Sequence, residues 1–182
     1  MTLRVLLRYV SNLLGKKSMP ILSSGMSAPP FQLVTTTGER LSLAAALAGG
    51  PVLLAFFKVS CPTCQFTFPF VERIYRQLRE HGVRIWGVVQ DKPQDGARFA
   101  ATFGVTFPIL VDELPYTVSR AYGLAHVPSL FLIKPDGKVE MSGDGFAKAD
   151  LLAIQRSLAE QLSATPTELF LPTERIPEFK PG

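Results

Sequence analysis

The sequence predicts an α/β protein: a central mixed β-sheet with helices on both faces and a short N-terminal hairpin. Three observations carry this. Val52–Lys58 and Val83–Gln90 are apolar runs with no polar face, as strands covered on both sides must be. Each is followed by a stretch with helix start and stop signals: Pro62 to about His81 ahead of Gly82, and Pro93–Phe103 ahead of Gly104. The later part carries Pro135-Asp136-Gly137, a strong turn signal that sends the chain back antiparallel. Parallel crossovers first and a hairpin afterwards give a mixed sheet with two covered faces.

The elements read in order as follows. Ser18 to Pro30 is a lead-in rich in Ser, Gly and Pro. Phe31–Thr35 and Glu39–Leu43 flank Thr36-Thr37-Gly38 and read as the hairpin. Ala44–Ala48 makes one helical turn, closed by Gly49-Gly50-Pro51. After the two buried strands and their helices come a short strand at Pro108–Val111 and a short helix at Pro115–Tyr122. A strand at Ser129–Lys134 and its antiparallel partner at Lys138–Ser142 follow. The helix Lys148–Leu162 closes the domain, with Leu151, Leu152, Ile154, Leu158 and Leu162 as its apolar positions. This gives a basic lead-in over 1–24, a domain over 25–163 and a Pro-rich tail over 164–182. The tail mixes Leu169, Phe170, Leu171, Ile176 and Phe179 with prolines. That is too apolar for a solvated tail, so it is expected to pack along the domain or onto a partner.

Composition sets the outer bounds. A chain of 182 residues is long enough for one well-buried domain. Its hydrophobic content is 47% and charged content 19%, values of a soluble globular protein. The net charge of +4 is mild and dispersed, which argues against nucleic acid as a partner. The N-terminus is the exception: Arg4, Arg8, Lys16 and Lys17 precede the first acidic residue, Glu39, and alternate with leucines at helical spacing. Residues 1–17 could thus touch a membrane surface as an amphipathic helix, or form a docked helix, or precede a natural start at Met19 or Met26. Charges at Arg4 and Arg8 interrupt what a signal peptide would keep apolar, so the reading leans cytoplasmic.

Cys61-Pro62-Thr63-Cys64 decides the chemistry. These are the only two cysteines, spaced C-x-x-C at the end of a buried strand and the start of a helix. One helical turn brings positions i and i+3 onto the same face, within reach of a disulfide. Unpaired N–H groups and the helix dipole favour negative charge at the first cysteine, which makes Cys61 the nucleophile. Lys58, three residues earlier at the mouth of the strand, is either a second stabiliser of the Cys61 thiolate or a solvated lysine at a strand end.

Four features give the chain its resemblance to the thioredoxin superfamily, in its TlpA-like and AhpC/TSA (redoxin) branch. They are Phe56-Phe57-Lys58-Val59-Ser60-Cys61-Pro62-Thr63-Cys64; Pro69, eight residues after Cys61; His126-Val127-Pro128-Ser129 with the strand and Asp136-Gly137 turn beyond it; and the opening Gly25-Met26-Ser27-Ala28-Pro29-Pro30-Phe31. Together they span about Gly25 to Leu162. The resemblance implies a thioredoxin fold and thiol–disulfide exchange: Cys61 attacks a substrate disulfide and Cys64 resolves the mixed disulfide. It implies a cis Val127-Pro128 bond opposite the dithiol, with Val127 offering its backbone to an extended substrate peptide. The Pro62-Thr63 dipeptide would tune the redox potential. No cofactor is implied. The partners would be a protein or small-molecule disulfide or dithiol, with an external reductant or oxidant.

The chain departs from the family at informative places. Ser60 stands where thioredoxins have Trp, Ala55 where they bury an Asp, and Thr67 where some TlpA-like reductases have Glu. The usual proton acceptors for the second thiol are thus missing. Peroxiredoxins need Thr or Ser three residues before the peroxidatic cysteine and Pro seven before; Cys61 has Lys58 and Leu54 there, and Cys64 has Cys61 and Phe57. A peroxide-reducing enzyme with Cys61 peroxidatic is therefore the alternative reading. A non-enzymatic module that binds a partner or a metal is the second alternative. No second C-x-x-C completes a zinc site, and the only histidines are His81, at a helix end, and His126, beside the proline loop. Phe66 and Phe68 are expected partly to face the site, Trp86 to lie in the core, and Asp91 and Asp112 to serve turns and caps at strand ends.

Overall fold

The computed structural model describes residues 21–182. The hairpin is β1 (Gln32–Val34) and β2 (Arg40–Ser42), followed by the one-turn helix α1 (Leu43–Leu47). The central sheet then builds from β3 (Val52–Phe57), β4 (Arg84–Val89), β5 (Ile109–Val111), β6 (Ser129–Ile133) and β7 (Val139–Asp144) in the order β5-β4-β3-β6-β7. The pairs β3–β4 and β4–β5 are parallel, and β3–β6 and β6–β7 antiparallel, as the mixed-sheet reading requires. Between them lie α2 (Pro62–Leu78), α3 (Pro93–Phe103) and α4 (Thr117–Ala121). The chain closes with β8 (Phe146–Ala147), α5 (Lys148–Gln161) and β9 (Phe179–Lys180).

The buried runs behave as their sequence demands. All six residues of β3 are buried, because helices cover both faces of the sheet. One apolar layer gathers Phe57, Phe68, Phe99, Phe107 and Phe146 with α2 and α5. The other holds Leu43, Phe56, Trp86, Tyr122 and Phe131, on the side of α1 and α4. Phe68 is therefore fully buried rather than partly at the site: its ring meets Phe57 at 4.3 Å and Phe99 at 5.2 Å.

Register places the site. Ala55 sits opposite Leu130 and Phe56 opposite Ser129, so the residues just before β6 arrive beside the C-terminal end of β3, where α2 begins. The short α4 starts two residues later than the sequence suggests. The bond Leu114–Pro115 is cis and Tyr116 is left-handed (φ 58°), which turns the chain before the helix can form. The Asp112 carboxylate then caps α4, accepting the N–H groups of Val118 (3.2 Å) and Ser119 (2.7 Å) and the Ser119 hydroxyl (2.7 Å). At the other expected turn, the Asp91 carboxylate accepts the Val59 N–H at 2.8 Å. The helix α2 gives way at Leu78 to a single 3₁₀ turn that contains the exposed His81, and left-handed Gly82 (φ 79°) ends it.

Segment 164–182 packs along the domain. Leu169 and Phe170 are buried in the layer beside α2 and α5, with Phe170 5.1 Å from the Phe70 ring. Arg73 donates to the Leu169 carbonyl at 3.1 Å and to Glu174 Oε2 at 2.7 Å, and Gln155 donates to the Thr167 carbonyl at 2.8 Å. The chain then runs back to pair β9 with β8.

Candidate active site

The dithiol lies where β3 ends and α2 starts. Cys61 is the N-cap of α2, with extended backbone (φ −80°, ψ 115°), and Pro62 takes the first helical position, where a missing N–H costs nothing. The Cys61 Sγ does the capping: it accepts the Cys64 N–H at 3.1 Å. Sulfur thus sits against an otherwise unpaired helix N–H, a position that favours negative charge. Cys61 is half-buried; Cys64, one turn on, is fully buried among Ala55, Phe68 and their neighbours. Neither is in a disulfide.

The bond Val127–Pro128 is cis, and the Val127 carbonyl accepts the Cys61 thiol at 3.3 Å. The two segments that the sequence singled out therefore meet at one sulfur. Thr63 and Thr67 turn inward: Thr67 donates to the Thr63 carbonyl at 2.7 Å, and the Thr63 hydroxyl donates to the Pro181 carbonyl at 2.7 Å.

Burial pushes the Cys64 thiol far above the ordinary thiol range, and its hydrogen bond to Cys61 raises it further. The charged and polar groups that bear on it among the described residues are Cys61 and backbone; no carboxylate is among them. This agrees with the missing acids at Ala55 and Thr67.

Lys58 points to a cavity of about 310 Å³ that it lines together with Tyr116, Arg120, His126 and Val127. Its ammonium lies 5.6 Å from the centre of the Tyr116 ring, a cation–π distance. His126 is exposed on the same wall. Phe66 is half-buried, packed edge-on against Phe146 at 4.9 Å, with the Lys180 ammonium 4.9 Å from its own ring centre. Of the residues at the site, Pro181, Gly182 and Tyr116 escaped sequence reading. Pro181 and Gly182 make their contacts through backbone, and the Tyr116 ring is brought to Lys58 by a left-handed turn that no sequence pattern announces.

The AhpC/TSA family model matches residues 24–142. The chain belongs to the AhpC/TSA family. Within it, the chain is 36% identical over 126 residues to the thiol-disulfide oxidoreductase ResA of Bacillus subtilis, covering 69% of this chain and 68% of that protein. A Chlorobium tepidum structure assigned as the thiol:disulfide interchange protein DsbE superposes with a TM-score of 0.69 at 30% identity, over 78% of this chain and 99% of the other. The peroxidoxin BcpB of Mycobacterium tuberculosis superposes with a TM-score of 0.63 at 22% identity, over 80% and 99%, which shows the shared fold alone. The oxidoreductase relatives and the C-x-x-C pair decide among the readings left open by sequence: this family member is a thiol–disulfide oxidoreductase with a thioredoxin fold. Among the described residues, no helix is long and apolar enough to cross a membrane. The cytoplasmic placement finds no support in the relatives, and the amphipathic reading of residues 1–17 lies outside the described residues.

Proposed function

We propose that Cys61 is the attacking thiol and Cys64 the resolving thiol in exchange with a protein or small-molecule disulfide. The observation that carries this is the asymmetry of the pair: Cys61 Sγ is partly open and held by an N–H donor, while Cys64 is sealed in the core with its proton tightly kept. The Cys61 thiolate bonds to one substrate sulfur, the substrate S–S bond breaks, and the leaving sulfur takes up a proton. Cys64 then gives up its proton and attacks Cys61 Sγ, which releases the second substrate thiol and leaves a Cys61–Cys64 disulfide. Two electrons have passed to the substrate. An external dithiol reductant restores the pair; run in reverse, the same steps oxidise a dithiol.

Val127 and cis Pro128 position the substrate, with Val127 presenting backbone next to the reacting sulfur. Pro62 fixes the start of α2, and Thr63 lines the groove between the cysteines and Pro181. Lys58 contributes positive potential from the cavity wall behind Val127.

Trapping tests the assignment. Cys64→Ser incubated with a protein disulfide should accumulate a mixed disulfide through Cys61, and Cys61→Ser should accumulate none. Adduct formation by Cys61→Ser at the rate of Cys64→Ser would overturn it.

A further inference from the structure

Residues 178–182 return to the dithiol and lie beside it. The Glu178 carbonyl accepts the Lys148 N–H at 2.9 Å. Phe179 and Lys180 pair with Ala147 and Phe146. The Pro181 carbonyl accepts the Thr63 hydroxyl at 2.7 Å. Gly182 lies against the carbonyl that holds the Cys61 thiol: a Cβ at Gly182 would stand 2.8 Å from the Val127 oxygen and 3.2 Å from the His126 Cβ. The opposite flank is as close, since a Cβ at Gly145 would stand 2.5 Å from the Lys180 carbonyl oxygen. The segment thus touches Thr63, one of the two residues between the cysteines, and Val127, the residue before the cis proline, at once.

An extended peptide that adds beside Val127 needs the space of a neighbouring strand, about 4.8 Å away. Gly182 already stands in that space. Cys61 keeps part of its surface open, so a small disulfide has no need of the groove.

We propose that residues 178–182 are a built-in occupant of the peptide-docking groove and set the substrate preference of the enzyme. A protein disulfide must displace them before its backbone can lie along Val127, whereas a small disulfide reaches Cys61 with the segment in place. This rests on Cys61 as the attacking thiol, and the exchange steps are those given above.

The test uses the full chain with Lys180→Pro, which removes one backbone donor and the cation over Phe66, and separately Gly182→Leu, whose side chain cannot lie against the Val127 carbonyl. Reduction of insulin should quicken by about fivefold for Lys180→Pro, which loses one segment hydrogen bond, and should also quicken for Gly182→Leu, which loses its place against Val127, because displacement is then easier. Reduction of hydroxyethyl disulfide, a small neutral disulfide, should stay unchanged. Faster exchange of the Lys148 amide, which donates to Glu178, should accompany the gain and reports release without reference to activity.

Insulin rates that are unchanged or lower in both variants, with the Lys148 amide released, overturn the proposal. So does an equal rise for both substrates. Failure of the attacking-thiol reading looks different: activity would then survive Cys61→Ser, whereas failure of the occupant alone leaves activity Cys61-dependent and indifferent to the two variants.

Discussion

The buried resolving thiol predicts a specific alkaline weakness. Cys64 is 0% exposed, and burial holds its proton in the folded protein well beyond the pH at which a free thiol ionises. An unfolded chain releases that proton near the ordinary thiol pKa of about 8.5 to 9. The folded pKa is raised, so the stabilising contribution is complete below the unfolded pKa and is lost as pH rises above it. By linkage, the loss approaches about 1.4 kcal/mol per pH unit and amounts to about 1.5–2 kcal/mol near pH 10. That is a sizeable share of a stability of about 5–15 kcal/mol. The assay is urea unfolding of the reduced protein at about pH 7.5 and about pH 10, with Cys64→Ala alongside. Tyr122, whose phenol is also pushed up by burial, contributes equally to both proteins and cancels. The wild type should lose about 1.5–2 kcal/mol more than Cys64→Ala across that interval. Parallel losses would refute the reasoning, because they would mean that Cys64 ionises as readily folded as unfolded.

Two further predictions concern the C-terminal segment. Arg73 holds the Glu174 carboxyl down to about 2. Its contribution is therefore present above the ordinary carboxylate pKa and lost as pH falls from about 4.5 toward 2. The protection factor of the Leu171 amide, which donates to Glu174 at 2.9 Å, should fall across that window while β3 stays protected, and Glu174→Gln should remove the transition. Phe170→Ala empties a place between Phe70 and Phe146 and should cost about 3 kcal/mol in urea unfolding; a loss under about 1 kcal/mol would mean that the segment adds little to the core.

The central fold was legible because its signals are strong and local. β3 is an unbroken apolar run, Cys61 and Pro62 mark the start of α2, and Pro135-Asp136-Gly137 marks the β6–β7 hairpin. The cis Val127–Pro128 bond and its meeting with Cys61 followed from the family resemblance rather than from spacing. The late start of α4 did not show, since it depends on a cis Leu114–Pro115 bond and a left-handed Tyr116 that no pattern announces. Phe68 was misplaced because one step of helical phase separates a core ring from a surface ring, and sequence does not fix that phase beside Pro69. The tail's apolar residues foretold packing. Its destination did not show, because Thr63 meets Pro181 through a hydroxyl and a backbone oxygen, and Val127 meets Gly182 through backbone alone.

The pairing of β9 on β8 has a consequence for self-association. Unpaired strand backbone is a template for pairing with another chain. Here the strand that satisfies β8 runs on to Pro181, whose carbonyl accepts the Thr63 hydroxyl beside half-buried Cys61, so one segment covers both the edge and the approach to the reactive sulfur. By satisfying the edge from within its own chain, the protein takes the β8 backbone out of reach of pairing with a copy of itself. With the segment lifted, the product to look for is a covalent dimer joined through Cys61, formed when the Cys61 thiolate of a reduced molecule attacks the Cys61–Cys64 disulfide of an oxidised one and Cys64 leaves as the thiol.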